Sequence, residues 1–334
     1  MSNLKQLANS LGLSITTVSR ALDGYADVSP ATRLRVEEAA RLAGYQPNAS
    51  ARRLRRQRAE LVAVPLPSAP GQISPPYFID MLSDCAEHLA VAGLNLVIAP
   101  VPRGKSELDM CRRFVDGHRV DAMVLVRTRR NDERVEFLQS RGIPFVAHGR
   151  TEAAVPHAFI DGDGHAGFRE ATLRFAKEGH IRIGHLAGPG DYNFAHLRRT
   201  GWEAGLSEVG LDSDLFAVGD PTERGGYEAA KALMSGTRKP TAILCCTDEM
   251  AIGALSALRE IEGGDAVSLI GHDDVPMGAY SDPPLSTMHM TGANVGERLA
   301  SLLLRAIAGE APATLQEIYP VEFVPRESHH RRRP

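Results

Sequence analysis

The sequence is poor in cysteine and aromatic residues, and it lacks a long apolar run. Its 334 residues include four cysteines, none in a C-x-x-C pair with zinc spacing: Cys85, Cys111, Cys245 and Cys246. No stretch approaches the roughly 20 apolar residues that cross a bilayer. The first ten residues, MSNLKQLANS, contain no apolar signal core. We therefore expect a cytoplasmic protein without disulfides or membrane spans.

The motifs of common enzyme classes are also missing. The sequence contains no P-loop, no glycine-rich dinucleotide loop and no Gly-x-Ser-x-Gly. The acidic groups at Asp273–Asp274 and Asp161–Asp163 could suggest glycosidase carboxylates, but neighbouring residues at a strand end seldom converge on one bond. An enzyme is therefore disfavoured, and we predict no catalytic residue, cofactor or metal ligand.

The charges are distributed unevenly along the chain. The net charge is −3, yet residues 1–58 hold ten basic and four acidic side chains, which is +6 and leaves −9 for the remainder. Such asymmetry is typical of a nucleic-acid-binding head on an acidic body, although a solvated basic segment would give the same balance.

Three short helices are predicted at the N-terminus. Leu4, Leu7, Ala8 and Leu11 form an apolar helical stripe that Gly12 can end. A second helix, Ile15–Leu22, starts after an N-cap at Ser14 and leaves Ile15, Thr16, Ser19 and Arg20 outward. A third starts at Ser29 and Pro30 and ends at Gly44. Two short helices joined by a glycine-containing turn, with a third in support, indicate a helix-turn-helix head over residues 1–46.

Residues 47–58 predict a fourth, marginal helix. Pro47 interrupts the chain, Asn48 can cap a new helix, and several arginines follow. Such a hinge helix could fold on DNA, with arginines near phosphates and Leu54 as an apolar wedge in the minor groove. A plain charged linker remains the alternative.

Beyond residue 60, strand-like apolar runs alternate with helical stretches. The predicted strands are Leu61–Leu66, Leu94–Ala99, Ala122–Val126, Phe145–His148, Ala158–Asp161, Ile183–Leu186, Ala242–Cys245, Ser268–Gly271 and Leu285–Met288. This alternation predicts parallel sheets covered by helices on both faces. The number of strands favours two doubly wound lobes, but the spacing alone does not exclude a single barrel.

The N-terminal residues closely resemble the DNA-binding head of the LacI/GalR family. The matching pieces include Ser14-x-x-Thr17-Val18-Ser19-Arg20, Val28-Ser29 and Gly44-Tyr45-x-Pro47-Asn48. The resemblance implies that Ile15, Thr16 and Arg20 reach base edges of a palindromic operator, and that Ser14, Thr17, Ser29 and Asn48 bond phosphates. The predicted DNA-binding set is Ser14, Ile15, Thr16, Thr17, Ser19, Arg20, Ser29, Asn48, Ala51 and Leu54.

The resemblance continues through the body. It is carried by Gly179-His180-x-x-Ile183-Gly184, Arg198-x-x-Gly201-Trp202, Thr247-Asp248-Glu249 and Leu269-Ile270-Gly271-His272-Asp273. It implies an α/β fold with a three-helix head and hinge helix, followed by two doubly wound parallel-sheet lobes of periplasmic-binding-protein type. The expected lobes are 60–161 with 291–320, and 162–290 with 321–327, before a disordered tail at 328–334.

A ligand cleft is expected between the lobes. Arg198 and Asp273 make the strongest candidate pair, because a guanidinium and a carboxylate together can hold sugar hydroxyls as donor and acceptor. Tyr77 and Phe78 could stack on a sugar face. The full predicted effector-binding set is Tyr77, Phe78, His148, Tyr192, Phe194, Arg198, Thr247 and Asp273.

The sequence therefore predicts a cytoplasmic, nucleoid-associated homodimer that binds operator DNA and represses carbohydrate-utilisation genes under the control of a mono- or oligosaccharide. No leucine heptad follows the last strand, so a coiled-coil tetramer is not expected. The alternatives are a sugar receptor without DNA function, and a corepressor-dependent regulator of non-sugar metabolism.

Overall fold

The computed structural model describes residues 3–25, 27–45, 59–67, 76–102, 104–292 and 294–330. The chain divides into two compact units, Met1–Ala59 and Glu60–Pro334. The predicted hinge positions Asn48, Ala51 and Leu54 lie outside the described residues. Within the described ranges, no helix combines the length and apolar character needed to cross a membrane.

The N-terminal unit contains the three helices α1 (Leu4–Leu11), α2 (Ile15–Leu22) and α3 (Pro30–Leu42). Each begins at a polar residue whose side chain accepts a hydrogen bond from a backbone N–H in the first turn: Asn3, Ser14 and Ser29. Gly12 ends α1 in the left-handed conformation, with φ of +66°, which glycine adopts without steric cost. The predicted start of each helix therefore agrees with the structure.

A small apolar core holds these helices together. Its buried members are Leu7, Ala8, Val18, Ala21, Val28, Val36 and Ala40. All three helices and the turn before α3 contribute to it, so one face of α2 is committed to the core and the opposite face is left at the surface.

Strands and helices alternate through the second unit. The strands are β1 (Leu61–Pro67), β2 (Asn95–Val101), β3 (Ala122–Leu125), β4 (Phe145–His148), β5 (Phe159–Gly162), β6 (Ile183–Ala187), β7 (Phe216–Val218), β8 (Ala242–Cys245), β9 (Ser268–His272), β10 (Ser286–Met290), β11 (Gln316–Tyr319) and β12 (Val321–Val324). The helices are α4 (Pro76–Val91), α5 (Glu107–Asp116), α6 (Glu133–Ser140), α7 (Gly164–Lys177), α8 (Asn193–Glu208), α9 (Glu223–Met234), α10 (Asp248–Arg259) and α11 (Val295–Ile307).

The described strands form two six-stranded sheets. The first, in lobe one, has the order β11-β5-β4-β3-β1-β2 and is parallel throughout. The second, in lobe two, has the order β12-β10-β9-β8-β6-β7 and is parallel except for β12. The chain passes between lobes after β5, after β10 and between β11 and β12. This confirms the predicted fold class and excludes a single barrel.

Helices cover both faces of each sheet. In lobe one, α4 and α11 pack on one face and α5 and α6 on the other. In lobe two, α9 and α10 cover one face, while α7 and α8 cover the other around the fully buried Trp202. Two such double-sided cores make each lobe a rigid support for the residues at its strand ends.

The structure differs from the prediction at several short elements. Strands β7 and β11 and helices α5 and α6 were not predicted, because short edge strands and helices of eight to ten residues leave weak periodic signals. The expected tail at 328–334 is wrong at its start. Ser328 and His329 are buried, and Ser286 bonds both: its N–H donates to Ser328 Oγ, and its hydroxyl lies 2.7 Å from His329 Nδ1.

Candidate functional site

The outer face of α2 carries side chains suited to DNA contact. Ile15 is 45% exposed, Thr16 is exposed and Thr17 is half-buried. The Ser14 Oγ accepts a hydrogen bond from the Thr17 N–H at 2.9 Å and lies 2.8 Å from the Thr17 hydroxyl. Ser14 thus starts the helix and sets two hydroxyls side by side at its N-terminus, where unpaired backbone N–H groups and the helix dipole favour an anion.

Ser19 is a correction to the predicted DNA-binding set. We expected it to face outward, but it is 5% exposed. Ser19 comes directly after Val18 and two residues before Ala21, and both of these apolar residues are fully buried. Ser19 therefore lies at the edge of the apolar stripe of α2. A short side chain at that edge is covered by its neighbours, and its hydroxyl contacts Asp23 at 3.4 Å.

Arg20 lies on the outer face but is held by two neighbours. Its Nη2 is 2.6 Å from Asp27 Oδ2, and its Nε donates to Oδ1 at 3.3 Å. Its guanidinium carbon also lies 4.6 Å from the centre of the Tyr25 ring. Arg20 keeps 42% of its side chain exposed, so a base edge could compete for the guanidinium.

Ser29 repeats the arrangement of Ser14 at the start of α3. It is exposed, its Oγ accepts a hydrogen bond from the Thr32 N–H at 3.2 Å, and the two hydroxyls are 2.9 Å apart. The N-termini of α2 and α3 therefore each present a serine–threonine hydroxyl pair.

In the body, a cavity of about 670 Å³ opens at the carboxyl ends of strands from both lobes. Such strand ends are where open α/β sheets bind ligands. Six of the eight predicted effector-binding residues line it: Phe78, His148, Phe194, Arg198, Thr247 and Asp273. The fold thus brings together predicted residues that are up to 195 positions apart in the sequence, from Phe78 to Asp273.

Arg198 and Asp273 form the polar centre of this cavity. Arg198 Nη2 lies 3.2 Å from Asp273 Oδ1, and Arg198 Nη1 donates to the carbonyl of Cys246. Asp273 Oδ1 is also 2.7 Å from His272 Nδ1. Burial alone would raise the pKa of Asp273, but Arg198 and His272 together hold it below its ordinary value. The carboxylate therefore stays ionised as an acceptor.

Backbone strain marks the same cavity. Asp273, directly after β9, has φ of +113°, and Arg127, two residues after β3, has φ of +50°. Residues with side chains rarely adopt such angles, and they persist where the surrounding structure enforces them, often at functional sites. Both strained residues present charged side chains to the cavity.

Aromatic rings line the cavity beside the charged groups. The rings of Phe78 and His148 meet edge to face, with centres 5.8 Å apart, and Phe194 lies 5.1 Å from the Arg198 guanidinium carbon. Burial lowers the pKa of His148 to about 4, so its imidazole is neutral near pH 7. Apolar faces next to hydrogen-bonding groups suit a sugar ring, which is apolar on its faces and polar at its rim.

Two predicted residues are not among the cavity's lining. Tyr192 stacks behind Phe194, with ring centres 5.6 Å apart, and its backbone bridges to Arg129. It is thus a correction to the predicted set, because its ring packs against Phe194 and does not line the cavity. Tyr77 is in α4, but its side chain lies outside the described residues.

Several residues that line the cavity were not predicted from the sequence, among them Arg127, Thr128, Asp161 and Glu249. Burial raises the pKa of Asp161 to about 6 and that of Glu249 to about 7. Arg127 and Asp161 stand at strand ends and Glu249 in the first turn of α10, so a systematic reading of strand ends could have found them. Among the described residues, no group of His, Cys, Asp or Glu is arranged to hold a metal ion.

Known proteins match this chain over nearly its whole length. Residues 3–48 match the family model for bacterial regulatory proteins of the lacI family, and residues 172–329 match that for a periplasmic binding protein-like domain. The chain is 34% identical to the HTH-type transcriptional regulator RafR of Escherichia coli over 98% of both chains. It is 36% identical to the HTH-type transcriptional regulator AglR of Rhizobium meliloti (strain 1021), over 98% of this chain and 94% of the relative.

Solved structures of transcriptional regulators also match this chain over nearly its whole length. The transcriptional regulator CelR–cellobiose complex is 28% identical, with a TM-score of 0.74 over 98% of this chain and 100% of the other. The lac repressor dimer bound to operator and the anti-inducer ONPF is 24% identical, with a TM-score of 0.83 over 98% and 99% of the two chains, which supports the shared fold.

Proposed function

The chain belongs to the lacI family of bacterial regulatory proteins, and on that basis we propose that it represses carbohydrate-utilisation genes through an operator affinity set by a sugar in the cleft between its lobes. Family membership establishes a sequence-specific, DNA-binding transcriptional regulator of helix-turn-helix type. The family is one of transcriptional regulators rather than enzymes. The sugar, the residue roles and the assembly are the proposal.

On the DNA side, α2 lies in the major groove. Ile15, Thr16 and Arg20 contact base edges, and Arg20 holds a guanine edge with two hydrogen bonds. The hydroxyl pairs that begin at Ser14 and Ser29 bond phosphates and fix the register of the head on the duplex. Ser19 is left out of this contact set because it is buried.

On the ligand side, the observation that carries the proposal is the Arg198–Asp273 pair in the cleft. An ionised carboxylate and a guanidinium 3.2 Å apart offer an acceptor and several donors to adjacent hydroxyls. The rings of Phe78 and Phe194 add apolar contact for a sugar face. The solved complex of a relative with cellobiose supports a carbohydrate as the ligand class.

The link between sugar and DNA is differential affinity for two lobe arrangements. A ligand that contacts both lobes favours the closed arrangement, and the heads of a homodimer then fit or miss two half-sites of a palindromic operator. The sign is repression released by sugar, with corepression as the alternative for the same machinery.

The test uses the full chain and the DNA fragment upstream of its own gene, with a shuffled fragment as the control. We expect salt-sensitive, sequence-selective binding by fluorescence anisotropy, and a sugar that both raises the melting temperature and weakens that binding. Arg198→Met should abolish the sugar's effects and keep DNA binding, whereas the exposed Arg224→Met should keep both. Equal affinity of the parent chain for the upstream fragment and the shuffled fragment would refute operator recognition. A sugar that tightens operator binding would reverse the sign.

A further inference from the structure

The cleft consists of two adjoining compartments. The first is the cavity of about 670 Å³ described above. The second, of about 490 Å³, lies beside the two crossings after β5 and β10 and is lined by Gly162, Gly164, Leu197, His272, His289 and Met290. Five residues line both compartments, including Arg198 and Asp273. The central ion pair therefore stands at their junction.

Each compartment is lined by a residue that has a buried polar atom without a hydrogen-bond partner. In the first it is Nη1 of Arg127, a residue 8% exposed. In the second it is Nε2 of His272, a residue 4% exposed. Buried polar groups in native proteins are nearly always hydrogen-bonded, because an unpaired one costs roughly 1–3 kcal/mol. Two such atoms in one cleft indicate two positions where a ligand supplies the partner.

The chemistry of the two atoms is complementary. Arg127 offers donors only, and the carboxyl group of Glu249 lines the same compartment as an acceptor. His272 has its Nδ1 2.7 Å from the ionised Asp273, so Nδ1 carries the proton and Nε2 is an acceptor that needs a donor. A hydroxyl group satisfies both kinds of site, whereas an ionised carboxylate has no proton to give to His272.

From these observations, and resting on the proposed function, we propose that the effector is a neutral disaccharide with one sugar unit in each compartment. Hydroxyls of one unit bond Arg127 and Glu249, and a hydroxyl of the other donates to His272 beside His289. The Arg198–Asp273 pair holds the groups near the linkage between the units. Because Arg127 belongs to lobe one and Glu249 to lobe two, the same unit also ties the lobes together.

The experiment is isothermal titration of the full chain with maltose, cellobiose, melibiose, sucrose and trehalose, and with glucose and galactose. One variant alters each compartment: Arg127→Met for the first and His289→Ala for the second. Matched controls on the exposed surface are Arg224→Met and His88→Ala. Thermal unfolding without ligand checks that each variant is folded.

We expect at least one disaccharide to bind tenfold or more tightly than its component monosaccharides. Arg127→Met should weaken that disaccharide about tenfold. His289→Ala should weaken the disaccharide about threefold or more and leave the affinity of a monosaccharide that occupies the first compartment unchanged. The two control variants should bind like the parent.

A monosaccharide that binds as tightly as any disaccharide would overturn the inference, as would a His289→Ala variant that leaves disaccharide affinity intact. Either outcome would leave the proposed function standing, because a sugar would still bind. If none of these sugars binds and none alters operator affinity, the inference and the sugar part of the proposed function both fail. The operator-binding measurement is independent of that result.

Discussion

The carboxylate of Asp27 holds the guanidinium of Arg20, with 2.6 Å between Asp27 Oδ2 and Arg20 Nη2. In the proposed DNA contact, Arg20 binds a base edge. In this structure its guanidinium is instead paired with the Asp27 carboxylate of the same N-terminal unit. Reaching a guanine edge requires this ion pair to break. In the proposed DNA contact, Asp27 therefore lowers DNA affinity by whatever the ion pair contributes, and its negative charge would also repel nearby phosphates.

Asp27→Asn should bind both operator and shuffled DNA more tightly, with a gain of up to about fivefold on the operator, because an exposed ion pair is worth up to about 1 kcal/mol. The ratio of operator affinity to shuffled-DNA affinity should rise, because only the operator offers a guanine edge to the released Arg20 guanidinium. Fluorescence anisotropy at several salt concentrations measures both affinities.

The control for this prediction is Glu37→Gln, which removes an exposed acid from α3 that does not contact Arg20. Any gain from the loss of one negative charge alone should appear equally in both variants. If Asp27→Asn gains no more than Glu37→Gln, the ion pair has no role in DNA affinity.

Ser14 separates folding from DNA binding. Its hydroxyl caps α2, and replacing a cap by alanine costs about 1 kcal/mol of stability. Aspartate is an equally good cap and suits the helix dipole, but it repels phosphate. Ser14→Asp should therefore keep the protection of α2 amides in hydrogen exchange and lose at least tenfold in operator affinity. Ser14→Ala should lose protection as well. Unchanged operator affinity in Ser14→Asp would exclude a phosphate at this position.

Much of this architecture could be predicted from the sequence, because buried strands and capped helices leave local signals. The predicted strand Leu61–Leu66 is observed as Leu61–Pro67, and Ser14 and Ser29 begin the helices that they were expected to cap. Arg198 and Asp273 were paired correctly because each stands in a motif that the family resemblance places at the cleft.

What the sequence did not predict depends on tertiary contacts. Ser19 is covered by packing at the edge of its helix, and the Tyr192 ring packs against Phe194 and is not among the residues that line the cavity. The missing hydrogen-bond partner of Arg127 Nη1 could not be predicted from the sequence, because it is a property of the folded cleft alone. The same holds for the burial of Ser328 and His329 against β10.

Stability should depend on pH through Glu249. Burial and the nearby Asp273 raise its pKa to about 7, well above its ordinary value of 4.5. The folded protein therefore holds this proton more tightly than the unfolded chain. The resulting stability is fully present below about pH 4 and is lost as the pH rises through about 7. Between pH 5 and pH 8, the ionisation of Glu249 should therefore lower the melting temperature of the parent protein.

Glu249→Gln should reduce that fall and gain roughly 1–3 kcal/mol over the parent at pH 8, with little gain at pH 4. Comparing the two curves cancels the opposite slope from buried histidines such as His185, whose pKa is lowered to about 4 by burial. The exposed Glu262→Gln is the control. Parallel curves for Glu249→Gln and the parent, measured by differential scanning fluorimetry, would show that Glu249 titrates normally.

Arg129 connects the two lobes at the rim of the cleft. Its Nη2 lies 3.1 Å from Glu107 in lobe one, and its Nε lies 3.5 Å from Asp191 in lobe two. Backbone bonds reinforce this link, since the Arg130 N–H donates to the Asp191 carbonyl at 2.9 Å and the Asn193 N–H donates to the Thr128 carbonyl at 3.0 Å. These contacts join the two lobes directly, and Arg129 and Asp191 do not line the ligand cavity. We infer that they favour the closed arrangement of the lobes.

Asp191→Asn should therefore weaken sugar binding by up to about fivefold, because an exposed ion pair contributes up to about 1 kcal/mol. Without that contribution to lobe closure, part of the binding free energy of the sugar is used to close the lobes. The sugar concentration at half-release from the operator should rise by the same factor, while operator affinity without sugar stays within twofold. Asp212→Asn is the matched control, since Asp212 pairs with Arg238 inside lobe two. Because neither aspartate lines the cavity, a loss confined to Asp191→Asn reports on closure itself. Equal sugar affinity in both variants would mean that the Arg129 link does not contribute to it.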